Sequence, residues 1–260
     1  MSGHTRVVGV IPARLASSRF PEKVLANATG TPLVVHVLEQ ARKARALDEV
    51  VVAADHPRIV EVVERAGGRA ILTRTDHPNG TSRLAEVADQ LRLLGEPAEI
   101  FVNVQGDEPE IEPEIIDAAT ELLLASPWAD VATIATPWSP SEDPQNPNLV
   151  KVVLGADGRA LYFSRAPIPF HRDASLGGKP RATPLRHVGL YAYRSAFLQQ
   201  FVAWPPSPLE ETESLEQLRV LEHGHQIAVA VRTVESQGID TPEQYAVFVE
   251  RYAARASARV

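Results

Sequence analysis

RVVGVIPARLASSRFPEK, residues 6–23, decides how the rest of the chain is read. Its opening six residues are mostly β-branched and stop at Pro12, the composition of a buried strand that runs into a loop. The loop continues to about Gly30. Beyond it, Thr31 and Pro32 supply a helix cap and first turn, and Leu33, Val34, Val37, Leu38 and Ala41 recur at helical spacing. A strand over 49–54 follows, then Asp55 as a cap for a helix with Ile59, Val62 and Val63 facing inward. A short strand at 70–72, a helix near 82–94 and a strand at 99–104 complete the series. This alternation predicts βαβ crossovers and a mostly parallel sheet covered by helices. Ligands of such sheets bind outside the C-terminal strand ends, so the residues after Ile11 and Val104 are the first places to look for chemistry.

The pattern loosens after about residue 128. Strand-like segments at 131–136, 150–154, 160–163 and 185–193 are separated by turn-rich stretches such as DPQNPN, with Asp157-Gly158 as a hairpin signal. These predict an antiparallel lobe over about 129–205, inserted after a nucleotide-binding core at 1–128. Residues 206–260 return to the core through a helix at 208–222, a strand at 227–231 and a helix after Thr241-Pro242. Residues 171–184 have turn composition without periodicity and are expected to form a mobile loop.

With 260 residues, 44% of them apolar, the chain buries a sizeable core without disulfides, and it has no cysteine. Thiolate catalysis, zinc–thiolate sites and iron–sulfur clusters are excluded. The absence of thiols fits a reducing cytoplasm. No stretch approaches the ~20 apolar residues of a membrane span, and the run from Val7 to Ile11 is too short for a signal-peptide core, so a soluble protein is expected. A formal charge of -7 argues against a nucleic-acid partner but leaves room for a small anion met by a local cation cluster.

Arg14, Arg19 and Lys23 form such a cluster directly after the first strand. Guanidinium forks and an ammonium suit phosphate oxygens, whereas the plain alternative is a solvated basic loop. The segment matches neither the GxxxxGK[ST] nor the GxGxxG phosphate loop. VNVQGDEP, residues 102–109, carries Asp107 past a strand end, as a Mg²⁺ ligand or a turn residue. GIDTP, residues 238–242, offers Asp240 either as a second ligand or, with Thr241, as a helix cap. Glu213, Glu216 and Gln217 fall at i, i+3 and i+4 of one expected helix, which is also the spacing of a solvated acidic face. On the strand RHVGLY, His187, Gly189 and Tyr191 point to one face, as a polar pocket or around a histidine satisfied in the core.

These residues resemble the 3-deoxy-manno-octulosonate (Kdo) cytidylyltransferases over nearly the whole chain. The matching segments, in order, are PARLASSRFPEK, VVAADHPRI, TRTDHPNGTSRLAE, VNVQGDEP, NPNLVKVV, LYFSRAPIP, RHVGLYAYR, SPLEETESLEQLRVL and GIDTPE. The resemblance implies a Rossmann-like α/β fold with a smaller antiparallel dimerisation lobe, and a homodimer that joins CTP to Kdo for lipopolysaccharide synthesis. It implies triphosphate contacts from Arg14, Arg19 and Lys23, Mg²⁺ ligation by Asp107 and Asp240, and a nucleotide contact from Arg83. It implies a sugar-acid pocket lined by Gln105, Arg165, His187, Tyr191, Glu216 and Gln217, with Arg165 as partner of the sugar carboxylate. The rival readings are a synthetase for another acidic sugar, such as 8-amino-Kdo or sialic acid, and an inactive nucleotide-binding regulator. Three positions depart from the family pattern: Glu22 stands where glycine is usual, Val24 where proline is usual, and Ser82 where an acidic residue is common.

Overall fold

The computed structural model describes residues 4–139, 142–172, 184–235 and 238–257. Most of the expected loop at 171–184 lies outside them. Contacts divide the chain into two units, residues 1–117 with 235–260, and residues 118–234.

In the first unit, β1 (Val7–Ala13), β2 (Glu49–Ala54), β3 (Arg69–Leu72) and β4 (Ile100–Asn103) form a parallel sheet in the order β3-β2-β1-β4. Val7, Val8, Val10 and Ile11 are all buried, as a strand covered on both faces requires. Helices α1 (Leu33–Ala41), α2 (Pro57–Arg65) and α3 (Gly80–Leu93) connect the strands, and α8 (Pro242–Ser257) closes the unit. The mostly parallel α/β expectation is met. Two caps differ from it. His56, not Asp55, caps α2, its Nδ1 accepting from the Arg58 N–H at 3.1 Å. Asp55 has another task, since its Oδ1 accepts from the Leu15 N–H at 2.8 Å and its Oδ2 lies 3.6 Å from Arg83. Pro32 takes the cap position of α1 without a side-chain bond, because proline carries no side-chain acceptor.

One glycine decides how closely two strand ends approach. A Cβ on Gly106, just past β4, would lie 2.4 Å from the Pro12 carbonyl oxygen on β1. Only a residue without a side chain lets the loop after β4 lie against the end of β1.

The second unit begins within α4 (Pro113–Ala125), a helix the sequence reading did not single out. Here β5 (Val131–Pro137) pairs antiparallel with β8 (Leu185–Arg194) and parallel with β9 (Ile227–Val231). The strands β6 (Lys151–Leu154) and β7 (Ala160–Ser164) form an antiparallel hairpin whose turn includes Gly158 at φ 80°, as the Asp157-Gly158 signal predicts. Helix α5 (Ser195–Ala203) also escaped the sequence reading. The single helix expected at 208–222 is two, α6 (Pro208–Glu213) and α7 (Gln217–Glu222). Ser214 breaks it by adopting φ 50°, ψ 50°. Glu213, Glu216 and Gln217 therefore do not share one continuous helical face.

The β5–β8 register slips between Thr133 and Ile134, which face Tyr191 and Val188 respectively. Thr133 holds this bulge. Its hydroxyl donates to the Leu190 carbonyl at 2.7 Å and accepts from His187 Nε2 at 2.9 Å. A hydroxyl has one proton, so His187 carries its own on Nε2. The imidazole packs edge-on to Phe163, with ring centroids 5.0 Å apart, and burial pushes its pKa down from 6.5 to about 3.

Gly106→Ala is expected to cost about 1–3 kcal/mol of stability, read from denaturant midpoints, because backbone must move to relieve the contact. An unchanged midpoint would show that the two loops have slack. For His187, the unfolded chain takes up a proton near pH 6.5 while the folded one stays neutral to about 3. The unfolded state therefore holds more protons between these values, and stability is lost as pH falls from 6.5 toward 3. His187→Gln removes that dependence. The stability gap between the natural protein and the variant should narrow by about 2 kcal/mol from pH 7 to pH 5. An identical gap at both pH values would mean that His187 is protonated alike in the two states.

Candidate active site at the strand ends of the first unit

Three attachments shape the loop after β1. Its start is tied by Leu15 to Asp55. Phe20, midway along, packs on a cluster of Leu33, Ile239, Tyr245 and Phe248, its ring centroid 5.5 Å from that of Tyr245. At its end, Lys23 starts the one-turn 3-10 segment Lys23–Leu25 and points its side chain inward. Lys23 is 9% exposed, and its Nζ donates to Asp107 Oδ2 at 2.9 Å and to the Ile239 carbonyl at 2.5 Å. Asp240 Oδ1 lies 3.4 Å away. The solvated-loop reading is thereby excluded for Lys23, while Arg14 and Arg19 are exposed.

The cap of α8 is built without the Asp240 carboxylate. Thr241 Oγ1 accepts from the Gln244 N–H at 3.3 Å, and Gln244 Oε1 accepts from the N–H groups of Asp240 and Thr241 at 2.7 and 3.1 Å. This is a capping box with glutamine as its returning arm. The Asp240 carboxylate instead meets Arg19 Nη2 at 2.9 Å as well as Lys23.

Arg83 arrives from the first turn of α3, where Asn79 Oδ1 accepts from the Ser82 N–H at 2.9 Å and fixes the helix start. The arginine is 4% exposed. Its Nη1 donates to Thr73 Oγ1 at 2.6 Å and to the Arg74 carbonyl at 3.1 Å. Burial lowers its pKa, and the charges of Asp55 and Glu86 act in the opposite direction.

These groups line one cleft of about 370 Å³, within the size range of small-molecule sites. Arg14, Arg19, Lys23, Arg83, Gln105, Asp107 and Asp240 all reach it. The sequence reading passed over His77, which also lines the cleft and bonds through Nε2 to Glu86 and through Nδ1 to Ser82 Oγ at 3.1 Å. Its signal is a histidine two residues before the Asn79 cap, in the segment that also carries Ser82 and Arg83.

The other candidates, Arg165, His187, Tyr191, Glu216 and Gln217, belong to the second unit. The His187 and Tyr191 rings lie 5.3 Å apart, so they share a face as expected. Burial raises the Tyr191 pKa well above its ordinary 10, which keeps the phenol protonated. Gln217 is buried at the start of α7, and Glu216 Oε1 is 3.5 Å from Arg219 Nη2. The Arg165 guanidinium is engaged by backbone: Nε donates to the Glu213 carbonyl at 2.6 Å, Nη1 to Pro147 at 2.9 Å and Nη2 to Ser214 at 3.1 Å. Among the described residues, no helix is long and apolar enough to cross a membrane.

Residues 8–227 match the model of a family described as cytidylyltransferase. The chain is 50% identical over 238 residues to a 3-deoxy-manno-octulosonate cytidylyltransferase of Syntrophobacter fumaroxidans, covering 92% of this chain and 93% of that protein. It is 51% identical over 239 residues to the enzyme of the same name from Yersinia enterocolitica, covering 91% and 94%. Among solved structures, a CMP:2-keto-3-deoxy-manno-octonic acid synthetase complexed with CTP superposes with a TM-score of 0.87 at 40% identity, covering 98% of this chain and 100% of that one. A cytidylyltransferase from Leptospira borgpetersenii shares the fold, at a TM-score of 0.59 and 16% identity over 95% of this chain and 86% of that one. This chain belongs to the 3-deoxy-manno-octulosonate cytidylyltransferase family.

Proposed function

We propose that this chain transfers CMP from CTP to the anomeric hydroxyl of Kdo, releasing pyrophosphate and supplying CMP-Kdo for lipopolysaccharide synthesis. The observation that carries the reading is the convergence of Arg14, Arg19, Lys23 and Arg83 with Asp107 and Asp240 in one cleft at parallel strand ends. The sugar hydroxyl oxygen attacks the α-phosphorus in line and gives up its proton to solvent, while the bond from that phosphorus to the bridging oxygen breaks and its electron pair leaves with pyrophosphate. Arg14 and Arg19 grip phosphate oxygens as planar forks, and Lys23 adds a point charge where negative charge grows on the leaving group. Arg83, held by Thr73 and Arg74, offers a preset donor edge to the nucleotide.

The donor set fits Mg²⁺. Asp107 and Asp240 are hard oxygen ligands already converging on a single cationic nitrogen. Among the described residues no cluster gathers three or more histidine or carboxylate side chains, so the protein would provide two ligands and leave the others to phosphates and water. When bound, Mg²⁺ supplies Lewis acidity at the phosphates and the sugar hydroxyl.

For the sugar acid, neutral His187 donates from Nε2 to Thr133, which leaves Nδ1 as an acceptor for a hydroxyl. Arg165 spends three of its five N–H donors on carbonyls, and the remaining ones suit a carboxylate. The homodimer that the family resemblance implies belongs to this reading as well. The cytoplasm is the expected compartment, since CTP is made there and the chain has no cysteine.

Pyrophosphate release should require CTP, Kdo and Mg²⁺ together, and should stop in EDTA. Equal turnover with UTP would remove the cytidine assignment. Asp240→Asn tests the carboxylate apart from helix capping, because the α8 cap does not use that side chain. We expect kcat to fall by at least about tenfold, equivalent to ~1.4 kcal/mol of barrier. Tm should fall by less than about 3 °C. Wild-type turnover by this variant at low Mg²⁺ would sink the two-carboxylate metal site.

A further inference from the structure

Two non-glycine residues among those described have positive φ, and one of them, Glu22, immediately precedes the buried lysine of the cleft. It is the third residue of the turn Phe20-Pro21-Glu22-Lys23, closed by the Lys23 N–H on the Phe20 carbonyl at 3.2 Å. With φ 53° and ψ 26° it occupies the left-handed region. A turn with proline second and a left-handed third residue normally uses glycine there, because a Cβ strains that conformation. Such a residue persists only where its surroundings hold it.

The holding group is Arg58, the second residue of α2. Its Nη1 donates to Glu22 Oε1 at 2.5 Å and its Nη2 to Oε2 at 2.8 Å, a fork-to-fork pair. The hydrogen bond from Arg58 lowers the Glu22 pKa below the usual carboxylate value, so the pair stays charged near neutrality. Glu22 does not line the cation-lined cleft, and its charge is matched on the outer side of the turn. The next residue runs inward to Asp107 and Asp240. The turn thus lies between an external ion pair and the ammonium.

We infer that Glu22 and Arg58 form a charge clasp that positions Lys23 for the triphosphate, with Glu22 a positioning residue that does not touch substrate. The inference rests on the CTP reading above. Because both partners are about half exposed, the clasp is open to screening by salt.

The test is a double-mutant cycle on the full-length protein with Glu22→Gln, Arg58→Gln and both together, plus Glu22→Gly. Each single variant should raise KM for CTP roughly fivefold, with kcat and the KM for Kdo within about twofold of wild type. The double variant should be no worse than the worse single one, since both remove the same interaction. Glu22→Gly should recover at least about half of the lost affinity, because glycine takes the turn conformation without a clasp. Additive losses, an unchanged KM alongside a lower Tm, or a lower KM in Glu22→Gln would each overturn the clasp. A second readout does not depend on CTP: hydrogen exchange at the Lys23 and Leu25 amides, which donate to the Phe20 and Glu22 carbonyls. Exchange there should quicken by about tenfold in either single variant, and unchanged protection overturns the proposal. If the wild type fails to turn over CTP while these amides respond, the functional reading falls and the clasp stands.

Discussion

The Lys23 ammonium draws three separate stretches of chain to one point. It reaches from the loop after β1 to Asp107, past the end of β4, and to Ile239 and Asp240 just before α8. A buried ammonium is costly unless its protons are used and its charge is matched, so the site is stable only with all three stretches in place. The Gly106 backbone makes this possible from the other side, by letting the loop after β4 touch the Pro12 carbonyl. The positions of Asp107 and Lys23 are therefore fixed together. Neither can shift without leaving charge uncompensated.

The same pairing sets the electrostatics of the cleft. The chain has a net charge of -7, yet four cations line a site that holds two carboxylates of its own. Arg19 and Lys23 are already paired with Asp240, so a triphosphate does not meet bare charge. It would exchange partners with groups whose distances are preset. Asp107 and Asp240 would hold a divalent cation bound with the phosphates, and that cation would offset their charge while Arg19 and Lys23 turned to phosphate oxygens. Four cations gathered in one cleft would thus serve an acidic protein in place of a basic surface when it binds a polyanion.

Much of this was legible in the sequence, and the failures share a cause. β1 and its crossovers were readable because a doubly covered parallel strand must be continuously apolar. The cation cluster was readable because it follows such a strand. Periodicity carries no record of ion partners, so Asp55 was read as a helix cap when its carboxylate belongs to Leu15 and Arg83. Asp240 stayed ambiguous because aspartate caps and ligates equally well, and only the Thr241–Gln244 bonds show that the cap is filled without it. The break at Ser214 had no glycine or proline to announce it.

That break explains the arginine beside it. A left-handed residue ending α6 leaves the Glu213 and Ser214 carbonyls without helical partners, and Arg165 takes both while its own N–H is held by the Glu213 carboxylate. The arginine is thereby fixed at a helix C-terminus, where a cation is favoured. Bonds from a guanidinium to a carboxylate are stronger than those to neutral carbonyls. A sugar carboxylate that drew on Arg165 would gain more than the carbonyls lose, because Ser214 is exposed and water can satisfy its oxygen. Glu213 keeps its bonds to Ser164 and to the Arg165 backbone through such an exchange, so the helix break survives it. The irregular turn that defeats periodicity is in this way the feature that holds Arg165 in place.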